Sequence, residues 1–168
     1  MRHFLTALLL GSGAAAAQEA GPYQQLLEAV EQSTRRVVVF APSIFDLPLA
    51  DALRQSHFDV VRRPAVRILT VEYYNYLPGS TVLSLALAGV WVSEAQVPSH
   101  EGFVIADDQG WIGPRLGQTT GSQTPGSTLR RMTRPEINAS LDWLRGAIKG
   151  GHRINQYEAY SRLKKVLK

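Results

Sequence analysis

Apolar residues along this chain follow two rhythms that alternate. Tyr23, Leu26, Leu27 and Val30 recur at helical spacing and predict an amphipathic helix over residues 22–32. Val37, Val38, Val39 and Phe40 form a short continuous apolar run ended by Pro42, the pattern of a strand buried on both faces. Ile44, Leu47, Leu49, Ala52 and Leu53 predict a second helix over 43–54, and residues 66–71 (Val-Arg-Ile-Leu-Thr-Val) a second strand. Val82, Leu83, Leu85 and Leu87 predict a helix over 80–88, with Gly89 as its C-terminal stop. Strands follow at 90–92 and 103–106, and the turn sequence Asp107-Asp108-Gln109-Gly110 leads into Trp111-Ile112-Gly113. Strand, helix, strand, helix, strand predicts an α/β fold with a mixed sheet: parallel pairs flanked by helices and closed by a hairpin.

Beyond Gly113 the pattern breaks. Residues 117–128 are almost entirely Gly, Ser, Thr and Gln, too poor in apolar groups to bury themselves, and read as a flexible loop. Pro135 then suits the first turn of a helix over 136–149, where Ile137, Leu141, Leu144 and Ile148 make one apolar stripe. Gly150-Gly151 stops it, and Tyr157, Tyr160, Leu163 and Leu167 predict a last helix. Asn138-Ala139-Ser140 matches a glycosylation sequon, but its position inside a predicted helix deprives it of weight.

The first twenty residues belong to neither rhythm. Arg2 and His3 precede the apolar run 4–10, then Gly11-Ser12-Gly13 and Ala14 to Ala17. This is the layout of an export signal cleaved after Ala17, and the apolar run is too short to span a bilayer. The mature chain is expected in the periplasm or outside the cell, with no integral membrane span. Four parts are thus predicted: a signal at 1–17, an α/β domain at 18–116, a loop or linker at 117–133 and a basic helical region at 134–168.

Composition narrows the chemistry. A chain of 168 residues fits one domain, and 45% hydrophobic residues suffice for a core. It has no cysteine, which excludes disulfides, thiolate metal sites and Cys nucleophiles. No His or carboxylate cluster has metal-ligand spacing and no Gly-rich phosphate loop follows a strand, so neither a metal nor a cofactor is implied.

His100 stands directly in front of a strand, in Ser99-His100-Glu101-Gly102-Phe103-Val104-Ile105-Ala106-Asp107. Here the sequence resembles the phospholipase D superfamily, whose signature is His-x-Lys-(x)4-Asp followed, after a turn, by Gly-Ser or Gly-Gly and an Asn. The resemblance extends upstream through Arg35 to Ser43, Leu47 to Leu53 and Arg63 to Leu69, an order similar to the family's first strand, following helix and next strand. It covers residues 23–116. It implies that His100 is the nucleophile that attacks phosphorus and that Asp107 is the motif Asp. It also implies a homodimer, because single-motif members take the second His from a partner chain.

The motif is damaged. His100 and Asp107 match, but Gly102 stands at the Lys position and Leu116 at the Asn position. Gly113 matches, Pro114 replaces the small residue, and the step from Asp107 to Gly113 is one residue short. Lys and Asn serve the non-bridging phosphate oxygens, and losing one such donor costs on the order of 2.7–4 kcal/mol of transition-state stabilisation. The reading is therefore a domain impaired in catalysis that binds a phosphate-bearing ligand or a protein partner; the alternative is an active phosphodiesterase working as a homodimer through His100.

Other residues carry two readings each. Arg115 could supply a guanidinium to phosphate in place of the missing Lys. Glu72, Tyr73, Tyr74 and Tyr76 follow a strand's C-terminal end, where α/β folds place ligand contacts, or they simply pack the next loop. Glu72 and Tyr74 are the binding candidates among them. Trp91 and Trp111 read as core or rim aromatics, and the Asp-Asp-Gln-Gly turn needs no catalytic role of its own. The net charge of +4 conceals an asymmetry: residues 18–113 carry 6 Arg against 11 acids, net −5, and residues 114–168 carry 11 Lys and Arg against 3 acids, net +8. An anionic partner, nucleic acid or phospholipid, is expected at the C-terminal region.

Overall fold

A computed structural model describes residues 21–97, 101–118 and 128–166. The export signal at 1–17, His100 and residues 119–127 of the predicted loop lie outside the described residues. No helix among the described residues is long and apolar enough to cross a membrane.

Local sequence explains where each element begins. Helix α1 spans Pro22–Gln32 and buries Leu26 and Val30, the centre of its predicted stripe. Strand β1 is Arg36–Phe40. Helix α2 is Leu47–Phe58, four residues later than its apolar spacing predicts. The reason is a cap: Asp46 is extended, its carboxylate accepts from Leu49 N (3.2 Å), and Pro48 fits the first turn where no N–H is needed. Residues 43–46 are left as a buried extended link. Strand β2 is Ala65–Thr70; a single helical turn, α3 at Glu72–Asn75, and helix α4 at Val82–Leu87 lead to β3 at Trp91–Glu94. The hairpin β4 (Gly102–Ala106) and β5 (Gln109–Gly113) turns at Asp107 and Asp108.

Two further strands lie where none is expected. β6 (Arg130–Arg131) occurs in the predicted linker and β7 (His152–Ile154) in the region read as helical. They flank α5 (Arg134–Lys149), and α6 (Gln156–Val166) follows. Glu136 binds the start of α5 to β6: its carboxylate accepts from Arg130 and from Thr133 N (2.7 Å), and the Arg130 contact leads in pulling its pKa down to about 2.

The seven strands form one mixed sheet in the order β6-β5-β4-β1-β2-β3-β7. β1, β2 and β3 are parallel, and every other neighbour pair is antiparallel. Alternation along each strand divides the core in two. Val37 and Val39 face one side with Val104, Ile68 and Val92, covered by α1, α2, α4 and α6. Val38 and Phe40 face the other with Phe103, Ile105 and Leu69, covered by Ile137, Leu141 and Leu144 of α5. One helix shields far less than four, and part of the second face stays open.

Candidate functional site

The carboxyl ends of β1, β2 and β3 share one edge of the sheet, the position at which open α/β sheets usually receive ligands. The antiparallel strands bring the start of β4, the end of β5 and the start of β7 to that same edge. Gly102 opens β4 there, two residues after His100.

Gly102 and Leu116 meet. A Cβ on Gly102 would lie 3.0 Å from Leu116 Cβ and 3.3 Å from the carbonyl oxygens of Leu116 and Phe40. Leu116 is 3% exposed and belongs to the core that includes Ala41 and Val104. The segment carrying Leu116 is anchored by Gly117, whose carbonyl accepts from Phe45 N (2.6 Å) and Asp46 N (3.2 Å). Pro114 and Arg115 face solvent on the same segment.

Asp107 lies at the opposite end of β4, beside the start of β1, since Ala106 pairs with Val37 and Phe103 with Phe40. Its carboxylate accepts from Thr34 N (3.0 Å), Thr34 Oγ1 (3.3 Å), Arg35 N (2.9 Å) and Arg36 N (3.0 Å). Its φ of +52° is one that Asp tolerates better than most residues. Asp107 thus stands the length of β4 away from Gly102 and fastens the hairpin to β1. Partial burial pushes its pKa up, but the backbone donors of Thr34, Arg36 and Arg35 outweigh that and hold it below the ordinary 3.8. Since the folded carboxyl is the stronger acid, its stabilisation is present above pH 3.8 and is lost as pH falls through the folded value. Asp107→Ala is expected to lose about 2 kcal/mol at pH 7. The gap to wild type should narrow in urea titrations as pH falls below 3.8; a gap independent of pH would contradict the clamp.

A buried polar network occupies the β2–β3 part of the ligand edge. Asn75 Nδ2 donates to Thr70 Oγ1 and to Glu94 Oε1, both at 2.8 Å. Arg162 Nη1 donates to both Glu94 oxygens at 2.8 Å, and Arg162 Nη2 to Glu158. His152 Nε2 lies 2.8 Å from Glu158 Oε2. Burial lowers the Arg162 pKa, but Glu94 more than compensates and the guanidinium stays charged. Asn75 Oδ1 is buried with no hydrogen-bond partner, leaving one acceptor open. Glu94, Asn75 and Arg162 are the residues that sequence reasoning missed. The available signal was a carboxylate, Glu94, on the third strand.

The predicted binding residues do not converge. Glu72 lines a pocket of about 300 Å³ with Glu94, Gln96 and His152. Tyr74 lines a different one of about 320 Å³ with Pro42, Ser43, Phe45, Leu77 and Gln118. Both side chains are exposed on α3, and Arg115 lines neither pocket. Among the described residues no group of three or more His, Asp and Glu side chains could hold a metal ion.

No protein-family model and no curated protein matches this sequence. Solved structures do. Nuc of Salmonella typhimurium, a phospholipase D family member, superposes with a TM-score of 0.65 at 15% identity, over 78% of this chain and 89% of its own. NucT of Helicobacter pylori superposes with a TM-score of 0.66 at 13% identity, over 79% and 91%. This chain has a phospholipase D-like fold. TrmBL2, an archaeal chromatin protein, is also similar, with a TM-score of 0.51 at 12% identity over 79% of this chain and 50% of its own.

Gly102 and Leu116, read from the sequence as departures from a motif, lie in one packed contact in this phospholipase D-like fold. The resemblance sets Lys and Asn against Gly102 and Leu116, and a Cβ added at 102 would meet the Leu116 side chain and the carbonyl oxygens of Leu116 and Phe40. A side chain at 102 therefore requires Leu116 or the adjoining backbone to give by a few tenths of an ångström.

Proposed function

We propose that this chain is an exported phospholipase D-like domain that binds a phosphate-bearing ligand at the carboxyl edge of its sheet and does not turn it over. The observation that supports this reading is the contact between Gly102 and Leu116, 3.0 Å from an added Cβ, at the two positions where the sequence resemblance expects the donors that phosphoryl transfer needs. Export rests on the pattern of residues 1–17. The pockets beside Glu72 and Tyr74, two separate hollows at that edge, are the room that supports ligand binding there.

The test is hydrolysis of bis-p-nitrophenyl phosphate by the purified mature protein. Wild type and His100→Ala are expected to release nitrophenol at the same background rate, within about twofold. A rate at least about a hundredfold above His100→Ala would establish instead the active alternative, whose chemistry also demands a homodimer.

A further inference from the structure

The open part of the second sheet face carries charge that the fold leaves without anionic partners. Arg67 of β2 stands in register with Trp91 of β3, on the same face as Val38 and Leu69. Arg153 of β7 reaches the same ring from the other side of the sheet order: its guanidinium carbon lies 3.7 Å from the Trp91 centroid, and that of Arg67 lies 5.7 Å away. Trp91 is 36% exposed, and its indole N–H donates to Ser93 Oγ (3.2 Å). Among the described residues neither Arg67 nor Arg153 pairs with a carboxylate. Stacking on an indole fixes the plane of a guanidinium while leaving its N–H edge free to donate in pairs.

Beside Arg67 a groove of about 270 Å³ runs between the sheet and α5. Its floor is apolar, from Val38, Leu141 and Leu144, and its rim is cationic, from Arg36, Arg67 and Arg145. Arg36 already donates to the Asp107 carbonyl and Arg145 to Asp142, so Arg67 is the rim cation with its donors uncommitted. The C-terminal excess of positive charge is thus only partly free: Arg130, Arg145 and Arg162 are spent on acids. What remains is combined by the fold with arginines of the otherwise acidic first part of the chain.

We infer that this groove is a second binding site, separate from the carboxyl edge, for a small organic phosphate: the phosphate takes the forked donors of Arg67, flanked by Arg36 and Arg145, and an apolar body of one or two rings covers Val38, Leu141 and Leu144. The groove lies just below the range of about 300–1,000 Å³ usual for small-molecule sites, which limits the ligand to that size. A phosphate fits better than a neutral ligand because the Arg67 guanidinium stands beside this apolar floor with no carboxylate of its own among the described residues.

The inference goes beyond the proposed function and is tested without any hydrolysis readout. 1-Naphthyl phosphate is titrated calorimetrically into the mature protein, with 1-naphthol and inorganic phosphate as probes lacking one half of the ligand. Saturable binding of 1-naphthyl phosphate, at least tenfold tighter than either, is expected. Arg67→Gln should weaken it at least tenfold, Arg67→Lys by an intermediate factor because the charge stays and the fork is lost, and Arg54→Gln on α2 not at all. Circular dichroism checks that each variant is folded. Equal affinity for naphthol, no saturable binding, or full affinity in folded Arg67→Gln overturns the inference. In the last case the ligand sits elsewhere, and the reading of the carboxyl edge stands.

Discussion

Arg162→Ala is expected to destabilise the protein by about 3–5 kcal/mol, the usual cost of leaving a buried charge without its counter-ion. Glu94 is 3% exposed, and the side chain of Arg162 is 13% exposed. The guanidinium reaches both Glu94 oxygens at 2.8 Å, donates to Glu158 as well and lies 5.3 Å from the Tyr76 ring centroid, so its removal takes away the charge, three hydrogen bonds and a ring contact. A carboxylate so little exposed has little water with which to replace the lost guanidinium. The penalty belongs to the broken pair, not to the absence of ions: in Glu94→Gln/Arg162→Met the amide still accepts from Asn75, no charge is buried, and most of the loss should be recovered. Urea denaturation of wild type, single and double variants measures both numbers. A loss under about 1 kcal/mol in Arg162→Ala would show that water reaches Glu94.

Gly117→Ala is the second large effect. Its φ is +81°, and a Cβ there would sit 2.6 Å from the Ser43 carbonyl oxygen and 2.9 Å from Ala41 Cβ. Backbone cannot yield as a flexible side chain does. Overpacking and left-handed strain together should cost about 3 kcal/mol. The damage has a direction: pushing residues 43–46 outward strains the Gly117 carbonyl bonds to Phe45 and Asp46, and with them the Asp46 cap of α2 and its acceptance of the Tyr23 hydroxyl (2.6 Å). Thermal unfolding of Gly117→Ala should fall well below that of Gly146→Ala. Gly146 lies on α5 with nothing within 4 Å of an added Cβ. Equal melting temperatures would refute the close approach.

These two sites mark where the sequence was and was not legible. The apolar periods gave α1 with its observed limits, the three parallel strands and the β4–β5 hairpin, because each buries several residues of one local pattern. β6 and β7 escaped because they are two and three residues long, rich in charge, and held by pairing to strands distant in sequence. β7 shows a single buried residue, Ile154. The late start of α2 was readable from Asp46 and Pro48 but was overridden by the apolar spacing of Ile44 and Leu47. At the site, Gly102 and Leu116 stood out one by one. That they fill one volume follows only from the chain between them folding back across the β4 edge. Glu94 and Arg162 are 68 residues apart and share no local pattern.

The position of β7 at one end of the strand order bears on how the sheet ends. β3 has no neighbour but β2 until residues 152–154 exist, and Glu94 has no cation until residue 162. Without residues 152–162, β3 would therefore present an open strand edge and Glu94 an uncompensated carboxylate. β7 covers that edge and Arg162 pairs the carboxylate; β7 then ends the sheet as a strand of three residues, His152 and Arg153 among them, a short and charged edge that is a poor template for further pairing. The last strand thus acts as a terminator of the sheet.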